Sequence, residues 1–366
     1  VAATPVILMA LWKLGKIPAL LNFSTGTATM ITCLELAGLK VIISSRAFVE
    51  RAKLQIEPFK DAGIQILFLE DVRARIQVLS EMAPEYRAAL DRWNGINARH
   101  KRHVDNVPVP EINEEILIYQ TLLGVWPLEE TDRDQLSSRL QKALLKSARE
   151  AKNHSSWLDP NEPYEQALFA FADAILKSDR ILADFIPFQR EVAYYGALNS
   201  LAQLVMKLGA PGVPDIYQGN ELWNFSLVDP DNRRAIDFET RRRLLGEMMS
   251  NSTTTTGFAR NLLESWTDGR IKLYVTWSGL QLRRQNATLF LAGEYIPVYA
   301  RGPQSEHVIA FARRFEDSWA LFATAPFFRY LSQSESLPVG GMWNETHLEL
   351  PGFALREVRA ISPGTG

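Results

Sequence analysis

The residue types best suited to chemistry in this chain sit close together, in Tyr217-Gln218-Gly219-Asn220-Glu221-Leu222-Trp223 and in Leu227-Val228-Asp229-Pro230-Asp231-Asn232-Arg233-Arg234. Carboxylates, amides and guanidinium groups are planar hydrogen-bonding forks, and tyrosine and tryptophan offer flat apolar faces. A pyranose asks for both, because it carries hydroxyl pairs at its rim and an apolar ring face. Tyr217, Gln218, Glu221, Trp223, Asp229, Asp231, Asn232, Arg233 and Arg234 are therefore the candidate sugar-binding residues. A plainer alternative stands beside this one: Asp229 and Asp231 cap a helix or turn while the arginines pair locally.

Other clusters point to less. His100-Lys101-Arg102-His103 offers two imidazoles, but their spacing misses the i, i+4 pairing used by metal sites, and a solvated helix end accounts for it. Arg241-Arg242-Arg243 follows Glu239 on an expected helix and reads as its charged face. Ser24-Thr25-Gly26-Thr27 could cradle a phosphate, yet no Gly-x-x-x-x-Gly-Lys-Ser/Thr pattern is present, and capping of the next helix is the favoured reading. Trp93, Trp126 and Trp277 fall at helix-periodic apolar positions and are expected in the core, whereas Trp223 lies in a loop. No metal or cofactor is expected.

The elements that must hold these residues follow from periodicity. Before residue 70, strands are expected at 17–23, 40–44 and 64–69, with helices near 27–37 and 46–59 between them. That alternation predicts parallel pairing in an α/β layer. From residue 71 the pattern is helical, with apolar residues at three- and four-residue spacing over 73–79, 85–97, 114–123, 134–152, 164–176 and 191–208. The run 213–217, flanked by Pro211-Gly212 and Gly219, reads as one buried strand delivering the candidate loop, as barrel enzymes place their sites. A helix follows near 271–286, and the tail alternates as strands at 295–299, 308–313, 319–324, 346–350 and 354–361. A small antiparallel β domain is the expected outcome.

Composition bounds the partners. The 366 residues carry 40 basic and 42 acidic side chains, a net charge of −2, so no basic footprint for nucleic acid is present. The apolar runs 6–14 and 17–21 are interrupted by Lys13 and Lys16, and no membrane span is expected. One cysteine, Cys33, forms no intrachain disulfide and fits a reducing, cytoplasmic setting. Asn224-Phe225-Ser226 and Asn344-Glu345-Thr346 match the glycosylation triplet by chance in that setting. The chain starts at Val1, in mid-pattern, and reads as truncated.

Two family resemblances divide the chain. Glu70-Asp71-Val72-Arg73-Ala74-Arg75 onward to Glu81 resembles malto-oligosyltrehalose synthase of glycoside hydrolase family 13. So do Tyr119 through Pro127, Lys142 through Lys152, Ser156-Trp157, Pro160-Asn161, Tyr164-Glu165, Asn199-Ser200-Leu201, Pro211 through Arg234, Asp268 through Trp277 and Gly293-Glu294-Tyr295. Asn220 stands where the family tends to threonine, and Ala235 where it tends to proline. The resemblance implies a maltodextrin, an α-1,4-glucan, whose reducing-end bond is rearranged to an α,α-1,1 bond. That chemistry needs a carboxylate nucleophile and an acid/base with water excluded. In the family the three catalytic carboxylates lie on earlier barrel strands, the last in a Thr-His-Asp-Thr-Lys-Arg motif where this chain has Gln65-Ile66-Leu67-Phe68-Leu69. The chain on its own is therefore expected to carry no catalytic residue and to be inactive.

The first 69 residues, on Lys16-Ile17-Pro18-Ala19-Leu20-Leu21-Asn22-Phe23-Ser24 and Ser44-Ser45-Arg46-Ala47-Phe48-Val49-Glu50, resemble instead the adenylate-forming part of acyl-carrier-protein synthetases and 2-acylglycerophosphoethanolamine acyltransferases. The seam falls at Glu70-Asp71-Val72-Arg73. The expected fold is mixed α/β: a parallel α/β unit at 1–69, a helical middle at 70–290 with the last strand of an incomplete (β/α)8 barrel, and an antiparallel β domain at 291–366. An open barrel predicts exposed apolar helix faces and low stability in the middle region. Two alternatives remain, an adenylate-forming acyltransferase fragment and a non-catalytic glucan-binding module.

Overall fold

The computed structural model describes residues 41–44, 65–68, 71–129, 135–227, 231–250, 256–332, 337 and 339–350. Asp229, the Ser24–Thr27 loop, the expected elements at 17–23, 27–37 and 46–59, and the strand at 354–361 lie outside them. β1 (Val41–Ser44) and β2 (Gln65–Phe68) pair in parallel, Val41 opposite Gln65 and Ser44 opposite Phe68, as the α/β alternation requires.

The helical body begins with α1 (Asp71–Val78) and α2 (Ala83–Asn97), which has a proline in its first turn and buries Ala89, Trp93 and Asn97 at a four-residue repeat. A hairpin follows, β3 (Arg102–Val104) with β4 (Val107–Val109), turned by Asp105 and Asn106 at φ 51° and 64°. Two consecutive left-handed residues are what a two-residue hairpin turn demands, and Asp and Asn tolerate them. His103 is thus an exposed strand residue rather than part of a helix end. α3 (Ile112–Val125) starts with a capping box in which Glu111 and Glu114 satisfy each other's backbone amides.

α4 (Leu136–Ala151) buries Leu136, Leu140, Leu144 and Ala148 on one stripe, and α5 (Glu162–Lys177) is capped by Asn161, which accepts from Tyr164 N at 3.1 Å. α6 (Asp179–Gly209) runs 31 residues with Pro187 inside it. Expectation placed its start at 191, after the proline. Ile181 and Phe185 are fully or almost fully buried, and Phe185 lies 5.2 Å from Trp93 and 5.0 Å from Trp126, so packing outweighs the local cost of Pro187. These helices share one core around Trp93, whose ring also meets Tyr119 at 5.3 Å and Phe188 at 5.5 Å. The helices around Trp93 thus close their apolar stripes on one another, while Leu117, Phe238, Met249 and Leu280 stay exposed on their helices, as expected of the middle region.

α1 is locked to α6 with little clearance. A Cβ on Gly196 would stand 2.5 Å from Arg75 Cγ, and Asn199 Nδ2 donates to Ala74 O at 3.4 Å. Just past α1, Glu81 is 7% exposed, and its Oε2 accepts from Arg329 N at 2.9 Å while Oε1 has no hydrogen-bond partner. Burial pushes this carboxyl up to about 7, against the opposing pull of the Arg329 amide and Asn199.

After α6 the chain passes through 213–217 without forming a ladder, and Val213 is 88% exposed. The buried strand expected there is not formed, since a single segment has no strand to pair with among the described residues. α7 (Phe238–Ser250), α8 (Thr256–Glu264), α9 (Arg270–Gln285) and α10 (Ala287–Ala292) follow. Trp277 on α9 is only half-buried, not core, because that helix packs by Ile271, Leu273 and Thr276.

The tail forms β5 (Glu294–Arg301), β6 (Ile309–Phe315), β7 (Ser318–Thr324), the short α11 (Phe328–Leu331) and β8 (His347–Glu349). The four strands make one antiparallel sheet in the order β7-β6-β5-β8. It packs on the end of α6 through Met206, Leu289, Phe290, Phe311 and Phe322, and the Phe322 ring fills the space a side chain on Gly209 would need. None of the described helices is long and apolar enough to cross a membrane.

Candidate functional site

Between the end of α3, the start of α4 and the segments 219–227 and 231–237 lies a cleft of about 510 Å³, within the range of small-ligand pockets. Trp223, Asn232, Arg234, Ile236 and Asp237 line one side, Val125, Leu128 and Arg139 the other, and Thr267 and Asp268 close the floor near α9.

The loop is held by two arginines from different helices. Arg139 of α4 grips Asp231 with Nε at 3.0 Å and Nη2 at 2.9 Å, and the same Nη2 donates to Phe225 O at 2.6 Å. Asp231 Oδ2 also accepts from Leu227 N at 2.6 Å, and Arg234 Nε lies 3.2 Å from Asp231 Oδ1. Burial pushes the Asp231 carboxyl up, but Arg139, the Leu227 amide and Arg234 together outweigh it and hold the group below the usual carboxylate range. Arg241 of α7 grips Glu221 Oε2 at 3.0 Å and donates to Gly219 O at 3.0 Å, and Gly219 N closes the set by donating to Glu221 Oε2 at 2.9 Å. Gly219 adopts φ 93°, a left-handed backbone that glycine takes without strain, and Ile236 Cδ1 would have to move aside for a Cβ there.

Trp223 is half-buried. Its Nε1 donates to Trp266 O at 2.6 Å, the Trp266 ring meets it edge-on at 6.4 Å, and Lys272 Nζ lies 5.5 Å from its ring centroid. Asp237 caps α7, accepting from Thr240 N at 2.9 Å and Thr240 Oγ1 at 2.7 Å, and those bonds lower its carboxyl's pKa.

Of the residues singled out by sequence, Trp223, Asn232 and Arg234 face the cleft. Asn232 brings a solvent-shielded Oδ1 with no hydrogen-bond partner. Glu221 and Asp231 point into the loop's own framework. Tyr217 is half-buried with its carbonyl closing a turn on Asn220 N at 3.0 Å, Gln218 and Arg233 are exposed, and none of the three lines the cleft. Arg242 and Arg243 do form a charged helix face, pairing with Glu239 and Glu247, but Arg241 belongs to the site. Arg139 lies 92 residues from Asp231, and no sequence signal links the two. Among the described residues, no three His, Cys, Asp or Glu side chains converge as a metal ion would require.

No protein-family model matches the chain. It is 33% identical over 283 residues to a protein named as a maltooligosyl trehalose synthase from Mycobacterium tuberculosis, which covers 77% of this chain and 32% of that protein. A solved maltooligosyltrehalose synthase from Arthrobacter ramosus superposes at a TM-score of 0.61 with 30% identity, over 77% of this chain and 32% of that one. Another solved maltooligosyl trehalose synthase superposes at 0.57 with 31% identity, over 69% and 32%. The chain thus spans about a third of the length of the relatives it matches, and it is homologous to their C-terminal part.

Proposed function

We propose that the chain is the C-terminal part of a maltooligosyl trehalose synthase and that its cleft holds glucose units of a maltodextrin. The observation that carries this reading is 33% identity over 283 residues to a protein of that name. The cleft supports it chemically. Trp223 supplies a flat apolar face, Asn232 Oδ1 a shielded acceptor without a protein partner, and Arg234 a donor at the rim. Asn232 lies in the cleft wall with its Oδ1 shielded from solvent, so a sugar hydroxyl reaches that acceptor once the side chain turns toward the cleft. Glu221 and Asp231 serve the site by fixing the loop, and Tyr217, Gln218 and Arg233 extend contacts beyond the cleft.

In this reading the complete enzyme rearranges the reducing-end α-1,4 bond to an α,α-1,1 bond in the cytoplasm. That step needs two carboxyl groups flanking one glycosidic bond. The family resemblance puts them on earlier barrel strands, so this chain binds glucan and does no chemistry alone. Its division is 1–69, 70–290 and 291–366, with the first part a fragment of an adenylate-forming domain; the parallel β1–β2 pair is in keeping with that origin.

Electrophoresis through a gel containing maltodextrin tests the binding. The chain is expected to be retarded, and Arg234→Ala and Trp223→Ala to run faster than wild type. Migration unaffected by maltodextrin refutes the sugar site. Conversion of maltodextrin to a non-reducing product by the purified chain refutes its inactivity, and ATP-dependent acyl-adenylate formation refutes the reading of the first 69 residues as an inert fragment.

A further inference from the structure

The connection between α4 and α5 carries an exposed aromatic group that neither the core nor the cleft uses. Trp157 is 55% exposed and Leu158 100% exposed, yet the turn that presents them is tightly held. Ser156 N donates to Asp159 O at 3.1 Å, Asp159 N to Ser156 Oγ at 2.9 Å, and Asn161 N to Ser155 Oγ at 3.1 Å. Ser155 Oγ in turn donates to Glu165 Oε1 at 2.5 Å. Arg149 forks onto Glu165 with two bonds of 2.8 Å and places its guanidinium carbon 5.0 Å from the Trp157 ring centroid. The indole is thus fixed against one cation while more than half its surface faces solvent.

α4 connects this platform to the cleft. Arg139 stands at the cleft and Arg149 under Trp157, ten residues apart, which is about 15 Å along a helix. Arg139, Lys142, Lys146 and Arg149 follow one another at three- and four-residue spacing along one side of α4, opposite the buried Leu140, Leu144 and Ala148. Arg139 and Arg149 are engaged with Asp231 and Glu165, so this side of α4 offers a glucan a positively charged edge between the cleft and the indole. The apolar patch is two side chains wide, far below the roughly 800 Å² per partner of a stable protein interface, and suits a single pyranose ring instead.

We propose that Trp157 is an outer glucan subsite, reached by an α-1,4-linked chain that starts in the cleft and runs along α4. This rests on the reading of the cleft as a sugar site. The probes are maltotriose and a long-chain amylose, titrated calorimetrically into the full chain and its variants. Trp157→Ala should weaken amylose binding roughly fivefold and leave maltotriose unchanged, with Trp157→Tyr restoring most of the loss, in line with the modest worth of one aromatic contact. Trp223→Ala should weaken both sugars. Equal effects of Trp157→Ala on the two sugars, or no effect on either, overturn the outer subsite while leaving the cleft standing. A sedimentation coefficient lowered by Trp157→Ala overturns it too, since the patch would then join two copies. Wild type binding neither sugar overturns the cleft reading and the subsite together.

Discussion

Replacing Glu81 by glutamine should make this protein more stable above neutral pH and leave it unchanged in mild acid. The carboxyl is 7% exposed, one oxygen accepts the Arg329 amide and the other has no partner, so burial raises it from 4.5 to about 7. At pH 4.5 and below, folded and unfolded chains both hold the proton and the group costs nothing. Between pH 4.5 and 7 the unfolded carboxyl ionises while the folded one keeps its proton, so stability falls as pH rises, and above 7 the loss is complete. At 1.36 kcal/mol per pH unit, that interval amounts to roughly 3 kcal/mol. Glutamine keeps an acceptor for the Arg329 amide and carries no charge to bury. Urea unfolding of wild type and Glu81→Gln, followed by tryptophan fluorescence at pH 5, 6, 7 and 8, reads the difference directly, since every other titrating group is common to both. The two curves should lie within about 1 kcal/mol of each other at pH 5 and diverge to roughly 3 kcal/mol at pH 8. Parallel curves, or a variant less stable at pH 8, would refute the reasoning.

Three more outcomes follow from the packing. Arg139→Met removes the fork that holds Asp231 ionised, at a cost of roughly 3 kcal/mol at pH 7. Because a depressed carboxyl contributes stability that is lost as pH falls through its folded pKa, the variant's acid unfolding should begin at higher pH than wild type's, and an unmoved acid limb counts against the clamp. Gly209→Ala puts a methyl 2.5 Å from Phe322 Cγ and should cost roughly 1–3 kcal/mol in thermal unfolding, with Phe322→Leu recovering part of it. Limited proteolysis should leave a resistant fragment containing α1 through β7, whereas survival of the β tail alone would restore the expectation of an unstable middle.

Much of the fold was legible because local signals agreed with tertiary ones. The alternating tail yielded β5, β6, β7 and β8 nearly to the residue, and the four-residue apolar repeats of α2 and α4 gave their buried faces. The β3–β4 hairpin escaped notice beside the attention-drawing His100 and His103, although Asp105-Asn106 carries the turn signal that would have found it. The first twelve residues of α6 escaped because Pro187, Asp179 and Asp184 argue locally against a helix that packing on Trp93 and Trp126 stabilises. In the site, residue type marked the loop but not the roles. Glu221 and Asp231 look like sugar ligands in isolation, and only the approach of Arg241 and Arg139 shows that their oxygens are already engaged.

The seating of α1 on α6 also governs when the body can form during synthesis. Ala74 finds Asn199 across 125 residues, Gln77 finds Gln203 across 126, and Glu81 finds the Arg329 amide across 248. A ribosome that has just released α1 must make more than a hundred further residues before its partner emerges, at about 5–20 residues per second. For those seconds α1 has only α3 to seat against, with Arg75 donating to Gly124 O at 3.2 Å and Trp126 O at 2.7 Å, and contacts of the longer sequence separation form slowly once they can. Aggregation of the nascent chain should therefore track the delay before α6 emerges, and slower translation between α1 and α6 should lower the yield of folded protein.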